Sequence, residues 1–408
     1  MTALRHCNVH DLREKARRRL PGGLFQFVDR GSEDERSLRH NREVFGRIRF
    51  RPRTLVDVSA RSQQVSVFGK LQHMPVAVGP TGTAGMMWFQ GDVALARAAK
   101  EAGVPFTCAT GSITSLEEIA RDAGGTLWFQ LYMAADRSRS EQLIKRAHDA
   151  GYEALFVTVD GVVSGNREYN LRHGFTIPFR FSLRNVWDVV SHPRWLLGTL
   201  GRWILHSGMP RYRNFPAETQ QRVTAAPMGR SMLKSDALNW EDIRWVRSIW
   251  PGKLVVKGIL RADDALLAVQ HGCDGVVVSN HGGRNLDGAV SPIEALPEVV
   301  AAVGSKLTVF VDGGVRRGAD VVKALALGAH CVLLGRSTLY GIGAAGGPGA
   351  ARVLEMFRDE ISRVLALLGC PSVSALNPDF LHLDGVRFTQ SAPHSDAGRP
   401  EAARSTRA

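Results

Sequence analysis

Residues 275–288 read Gly-Val-Val-Val-Ser-Asn-His-Gly-Gly-Arg-Asn-Leu-Asp-Gly. The first four form an apolar run that reads as a buried strand. The remainder offers a proton acceptor at neutral pH in His281, a fork-shaped cation three residues later in Arg284, and glycines that let the backbone turn tightly. A histidine can take a proton from a hydroxyl, and an arginine can grip a carboxylate at two points. The pair fits a substrate carrying both groups, a 2-hydroxy acid. A strand end followed by a solvated loop is the plainer alternative, and these residues alone do not decide between the two.

The same pattern recurs on both sides. Apolar strand-like runs occupy 74–79, 105–108, 127–132, 154–159, 254–257, 275–279, 308–312 and 331–335. Helix-like segments lie between most of them, at 91–102, 115–123, 138–150, 261–271, 292–303 and 318–327, with 240–250 before the fifth run and 348–368 after the last. Nearly unbroken apolar strands alternating with helices predict a parallel sheet buried on both faces. Eight such units in about 300 residues fit an α/β fold of the (β/α)₈ TIM-barrel type. A doubly wound sheet would gather its chemistry at one switch point. Here polar residues stand at many strand ends: Gln130 and Tyr132, Thr158 and Asp160, Lys257, His281, Asp312 and Arg336. The chain is therefore expected to form one domain over 1–386, with the barrel at about 74–369 and a disordered basic tail at 387–408. Helices within 8–45, broken at Pro21-Gly22-Gly23, are expected to lie outside the barrel domain.

One interval breaks the rhythm. About 80 residues separate Asp160 from Trp240, a long loop after strand 4 at 161–238, where a barrel usually spends a handful. Within 180–213, Trp187, Trp195 and Trp203 stand among six arginines, with Asp188 the only acid. Residues 194–206 put Leu196, Leu200, Trp203 and Ile204 along one helical face. At about 13 residues the segment is too short to span a bilayer but suits the headgroup boundary. The alternative is a lid packed on its own barrel. The charge favours the membrane surface: 52 Lys and Arg against 39 Asp and Glu give +13 and a pI near 10.0. The five cysteines are scattered singly, without metal-ligand spacing, and the N-terminus lacks an apolar signal core. These features predict a reduced, cytoplasmic protein able to touch a membrane, with no metal and no nucleic-acid partner.

Two further motifs bear on a cofactor. Asp312-Gly313-Gly314-Val315-Arg316-Arg317-Gly318 follows a strand and opens a helix, and Gly335-Arg336 ends the eighth strand. Glycine, arginine and a helix N-terminus after strands seven and eight suit a phosphate. Gly341 to Gly346 matches GxGxxG but precedes the last helix with no following strand, so it is read as a decoy. Asp160 is a candidate partner that would raise the pKa of His281, and Arg167 is a second candidate carboxylate cation, though each alone also suits a structural ion pair. Lys257 lies on an apolar strand, so its burial requires a negative partner.

Taken together these residues resemble the FMN-dependent 2-hydroxy acid oxidase and dehydrogenase family. The resemblance rests on Gly31-Ser32-Glu33-Asp34-Glu35, Phe129-Gln130-Leu131-Tyr132, Val256-Lys257-Gly258, Ser279 to Arg284 and Asp312 to Gly318, in that order. It implies that His281 is the base for the substrate hydroxyl, Asp160 its partner, Arg284 and Arg167 the carboxylate clamp, and Tyr132 a bond to the substrate oxygen. It places Lys257 by the flavin's pyrimidine edge and makes Gln130 and Thr158 flavin contacts. Asp312, Gly314, Arg316, Gly335 and Arg336 become ribityl and phosphate ligands. Pro80, Thr81, Gly82, Ser279 and Gly313 complete the expected FMN-binding set.

Two departures stand out. Phe27 replaces a tyrosine that in many members bonds the substrate carboxylate, and Ala109 replaces a serine near the flavin. Gly111 leaves room for a larger substrate side chain than a tryptophan there would allow, and Gly79-Pro80-Thr81-Gly82 resembles the dehydrogenases. Residues 192–195, 208–210, 214–215, 369–371 and 376–380 are similar to the membrane-associated (S)-mandelate and L-lactate dehydrogenase branch. That branch implies oxidation of an (S)-2-hydroxy acid, mandelate first and L-lactate second, by a homotetramer on the cytoplasmic face of the inner membrane. It also implies an anionic membrane surface as a contact and quinone or another membrane acceptor for the electrons. A soluble oxidase making hydrogen peroxide and a non-catalytic flavin-binding protein are the alternatives.

Overall fold

Alternate residues of the apolar runs feed two different cores, and this is why the runs carry no polar interruptions. The computed structural model describes residues 7–82, 84–173, 182–215, 220, 222 and 236–384. Eight parallel strands close a barrel: β1 (Val76–Val78), β2 (Phe106–Ala109), β3 (Leu127–Leu131), β4 (Ala154–Thr158), β5 (Lys253–Ile259), β6 (Gly275–Val278), β7 (Thr308–Val311) and β8 (Cys331–Leu334). Each pairs with its neighbours in sequence, and β8 returns to β1 through Leu333 opposite Ala77. Ala77, Trp128, Phe156, Val277, Phe310 and Leu333 fill the interior, while Val76, Val78, Phe129, Val157, Val278 and Val309 face the surrounding helices. Every strand residue from β1 to β4 is buried, as expected of a parallel sheet covered on both sides. The barrel reading of the sequence holds, and all eight strands fall within the expected runs or extend them by a residue or two.

A hairpin of Val65–Val67 and Lys70–Gln72 closes the N-terminal end of the barrel. Phe68 at its turn packs against Trp128 (5.9 Å between ring centroids) and Phe310 (5.6 Å), at angles favoured by aromatic quadrupoles.

The N-terminal helices correct the sequence reading, because they are part of the barrel domain. α1 (Val9–Arg19), capped by the Asn8 side chain, buries Leu12 and Ala16 against the final helix. α2 (Gly22–Asp29) buries Leu24, Phe25 and Val28 and ends over the strand C-termini. α3 (Arg36–Arg47) follows, and Asn41 in it exchanges two 2.8 Å hydrogen bonds with Asn280.

The last helix also differs. It starts directly after β8 at Arg336 and runs to Leu368, with non-helical backbone only at Ala345 and Gly346. The Gly341–Gly346 run lies in it, which removes any phosphate loop. A Cβ on Gly341 would stand 2.5 Å from the carbonyl oxygen of Gly349, and one on Gly343 would crowd Met87, Leu20 and Ala16. These glycines allow helices to touch, and their low intrinsic helix propensity is why the sequence places the start of the last helix only at 348.

The insertion after β4 contains helices Glu168–Arg172 and Leu183–Val190 and a continuous helical segment from Pro193 to Ser207, π-helical over Leu196–Gly201. Trp195 and Trp203 are buried, and their indole N–H groups donate to the carbonyls of Met86 and Gly85, each at 2.8 Å. The face expected to meet a membrane therefore turns inward: Leu196, Leu200 and Trp203 pack on the barrel, and only Ile204 is exposed. The wider π turn changes which residues share a face. A different set looks outward: Leu183 (92% exposed), Trp187 (73%), Leu205 (89%), Val186, Val190 and Leu197. Asp188 clasps the insertion to α2, accepting from the N–H groups of Gly22 (3.0 Å) and Gly23 (3.2 Å) at its N-terminus. The tail at 387–408 lies outside the described residues.

Candidate active site

A parallel barrel brings all strand C-termini to one end, and the polar strand-end residues meet there around one cavity. Beyond β6 the chain takes the left-handed conformation at three successive residues, His281 (φ 56°), Gly282 (65°) and Gly283 (71°). Histidine pays for this with about 1–2 kcal/mol of backbone strain. Ser279 steadies the turn: its Oγ accepts from the N–H of His281 (3.1 Å) and from Lys257 Nζ (2.7 Å). The turn carries the imidazole to Asp160, with Nδ1 2.9 Å from Oδ1, and leaves Nε2 3.3 Å from the Tyr132 hydroxyl. Asn285 fixes the Asp160 backbone by donating to its carbonyl at 2.7 Å. Gly258 (φ 113°) is required beside it, since a Cβ there would stand 2.6 Å from that of Asp160.

Burial pushes the His281 imidazole below its ordinary range, and Asp160 offsets only part of this. The expected effect of Asp160 holds, since the carboxylate raises the imidazole pKa, but desolvation outweighs it and the net shift is downward, which leaves the ring neutral at physiological pH. Tyr132 is pushed up, first by burial and then by Asp160.

The arginines are seated by α2. Arg284 Nη1 donates to the carbonyls of Phe27 (2.8 Å) and Arg30 (3.1 Å), and Arg336 donates to those of Val28 (2.9 Å), Arg30 (3.1 Å) and Gly282 (2.8 Å). The last carbonyls of a helix lack intrahelical partners and carry its negative dipole end, so cations belong there. Arg167 Nε donates to the carbonyl of Arg284 at 3.3 Å. The Phe27 ring lies 5.3 Å from the Arg284 guanidinium and 6.0 Å from that of Arg167, within cation–π range. Among the described residues neither Arg167 nor Arg284 is paired with a carboxylate. Burial, then the neighbouring Arg167 and Arg336, hold Arg284 well below the usual guanidinium range. Burial likewise lowers Arg167. Such a cluster favours an anion.

Lys257 has its negative partner. Its Nζ lies 2.9 Å from Asp312 Oδ2, and although burial alone would lower its pKa, Asp312 and Asp160 together raise it. The other Asp312 oxygen is buried without a hydrogen bond. Gln130 Nε2 donates to Thr158 Oγ1 at 2.9 Å.

The cavity collects most of the candidate residues: His281, Tyr132, Arg284, Arg167 and Phe27 line it together with Gly313, Gly314, Arg316, Gly335 and Arg336. Lys257, Asp312, Gln130, Thr158, Pro80, Thr81 and Gly82 lie along it as well. Asp160 and Ser279 are outside the lining and hold His281 and Lys257 from behind. Sequence reasoning missed Val28, Leu339 and Tyr212 in the wall. Their side chains carry no motif; α2 delivers Val28 and the insertion Tyr212 from far along the chain, and Leu339 stands on the first turn of the helix after β8.

The residues fit FMN. Arg316 and Arg336 have no carboxylate partner among the described residues and suit a phosphate, and the free Asp312 oxygen is a buried acceptor awaiting a donor. A Cβ on Gly335 would meet only Thr81, at 3.9 Å, so that side of the cradle is open. Gly314 serves packing instead: a Cβ there would be 2.1 Å from the carbonyl oxygen of Asn41.

Comparison with known proteins agrees. Residues 16–383 match the FMN-dependent dehydrogenase family. The chain is 46% identical over 389 residues to an (S)-mandelate dehydrogenase of Pseudomonas putida, covering 95% of this chain and 96% of that one. It is 39% identical to an L-lactate dehydrogenase of Vibrio parahaemolyticus, covering 91% and 97%. Its fold is similar to the crystal structure of a monotopic membrane protein, (S)-mandelate dehydrogenase, with TM-score 0.87, 45% identity and coverage of 93% and 100%. A mandelate oxidase with (S)-2-phenylpropionate gives TM-score 0.76 at 39% identity, covering 92% and 98%.

Proposed function

The chain belongs to the FMN-dependent dehydrogenase family, and on that premise we propose that it oxidises an (S)-2-hydroxy acid, mandelate first and L-lactate second, to the 2-oxo acid. The observation that carries this is the pair Arg167 and Arg284, half-buried in the cavity wall without carboxylate partners among the described residues, beside the neutral His281. They bind and orient the substrate carboxylate. His281 Nε2 takes the hydroxyl proton, and Asp160 at Nδ1 fixes the tautomer and stabilises the imidazolium that forms. Tyr132, 3.3 Å from Nε2, donates to the substrate oxygen. Lys257, kept cationic by Asp312, supplies positive charge where the cofactor binds. FMN, when bound, would supply the two-electron acceptor for the α-hydrogen.

Among the described residues no helix is long and apolar enough to cross a membrane. The outward apolar set from Leu183 to Leu205 supports docking on an anionic membrane surface. An acceptor in the quinone pool, a homotetramer and the cytoplasmic face of the inner membrane belong to the same reading. The likeness to mandelate oxidase favours a second one, in which electrons pass to oxygen.

The test is anaerobic titration of the FMN enzyme with mandelate, L-lactate, glycolate and longer 2-hydroxy acids. Mandelate is expected to bleach the flavin most readily, and failure of all of them sinks the proposal. Rapid reoxidation of the bleached enzyme by air would favour the oxidase.

A further inference from the structure

The insertion reaches into the cavity as well as across the surface. Asn214 is fully buried at the end of β2: its Oδ1 accepts from the N–H of Leu116 (2.8 Å), and its Nδ2 donates to the carbonyls of Ala109 (3.1 Å) and Thr114 (3.4 Å). The backbone N–H of Arg213 adds a bond to the carbonyl of Ser112 at 3.3 Å. A segment fastened this way holds its neighbours in place. Two residues before Asn214, Tyr212 lines the cavity, its ring edge-on to Phe215 at 5.9 Å. Gly111 and Ala109 line the cavity too, and a Cβ on Gly111 would meet nothing nearer than Gly82 Cα at 3.8 Å. The glycine therefore leaves space where a side chain would fit.

The two cavity tyrosines differ in their surroundings. Tyr132 bonds His281 and feels Asp160, Lys257, Arg167 and Arg284. Tyr212 is pushed up to about 12 by burial alone, with no charged group contributing. Its hydroxyl has no hydrogen-bond partner among the described residues. The bonds from Arg213 to Ser112 and from Asn214 to Ala109 seat Tyr212 at the β2 side of the cavity, where Ala109 and Gly111 line the wall, and a phenol in such a site normally bonds its tip to something.

We propose that Tyr212 is a specificity-determining residue that hydrogen-bonds the far end of the substrate side chain, selecting an aryl 2-hydroxy acid with a ring hydroxyl over the unsubstituted acid. The proposal rests on the 2-hydroxy acid reading and adds the chemistry of the side chain to it. Gly111 makes room for the aryl ring, and the Asn214 anchor keeps the phenol in register with it.

The test compares mandelate with its 3- and 4-hydroxy derivatives on the FMN enzyme and on Tyr212→Phe. One readout is anaerobic flavin reduction, and the other is the flavin spectral shift on binding the matching 2-oxo acids. The parental enzyme is expected to favour one hydroxylated ligand by about tenfold, the scale of one neutral hydrogen bond, and Tyr212→Phe to bring that ratio to about one. A parental ratio near one, or a preference that survives in the variant, overturns the proposal. If no 2-hydroxy acid bleaches the flavin, the functional reading fails instead, and binding of the 2-oxo acids still decides the role of Tyr212.

Discussion

At the charged wall of the cavity, Asp160, Lys257 and His281 stand on or within three residues of a strand, so barrel geometry brings them together. Along the insertion, Trp195 and Trp203 are each held by one side-chain hydrogen bond to the short helix Ala84–Met87, and Asn214 by three to residues 109–116, about a hundred residues earlier in the chain. The first region inherits its precision from the scaffold. The second makes its own, and spends its apolar residues on both faces at once. Function at the wall should therefore be sensitive to chemistry, and function at the insertion to seating.

The largest effect expected from this contrast is at the base. His281→Gln should keep the protein yellow while slowing substrate-dependent flavin bleaching by about 10²–10⁴-fold, the usual range for a general base. Stopped-flow reduction at the parental rate would remove His281 from that role. Asp160→Asn should slow reduction by a smaller factor and also move the pH profile. Burial lowers the His281 pKa and Asp160 raises it. The parental rate should thus be flat at neutral pH and fall on the acid side below the ordinary histidine value of about 6.5. Without Asp160 the acid limb should move to still lower pH. An unmoved limb would mean that Asp160 does not bias the imidazole.

The insertion should respond in the opposite manner. Trp203→Ala removes a buried indole and its bond to Gly85, with an expected loss of about 3–5 kcal/mol read by thermal or denaturant unfolding. Trp187→Glu, on the exposed face, should change stability by less than about 0.5 kcal/mol while abolishing sedimentation with anionic vesicles. Equal effects of the two would erase the distinction between inner and outer faces. The smallest change is Phe27→Tyr, which should tighten substrate binding by roughly tenfold if the added hydroxyl reaches the carboxylate. Titration of the oxidised flavin measures it.

The same contrast explains what was legible. Strands buried on both faces leave an apolar signature, so all eight were readable, as were the residues just beyond them. The need of Lys257 for an anion could be read, but Asp312 as its partner required the β5–β7 geometry. The sign of the His281 shift depended on depth of burial, which sequence does not record. The helix after β8 was hidden by its glycines, which serve contacts with distant residues. The inward face of the insertion depended on one π turn and on acceptors at Gly85 and Met86. Tyr212 was invisible because its position is set by Asn214, whose partners lie about a hundred residues away.

The hairpin that presses Phe68 against Trp128 and Phe310 caps the N-terminal end of a barrel whose interior is already filled, so among the described residues the cavity lies only at the opposite end. On the proposed reading an acid that enters at that end leaves as its oxo acid from the same end, so arrival and departure are divided by time. Product that lingers occupies the very seat the next molecule needs.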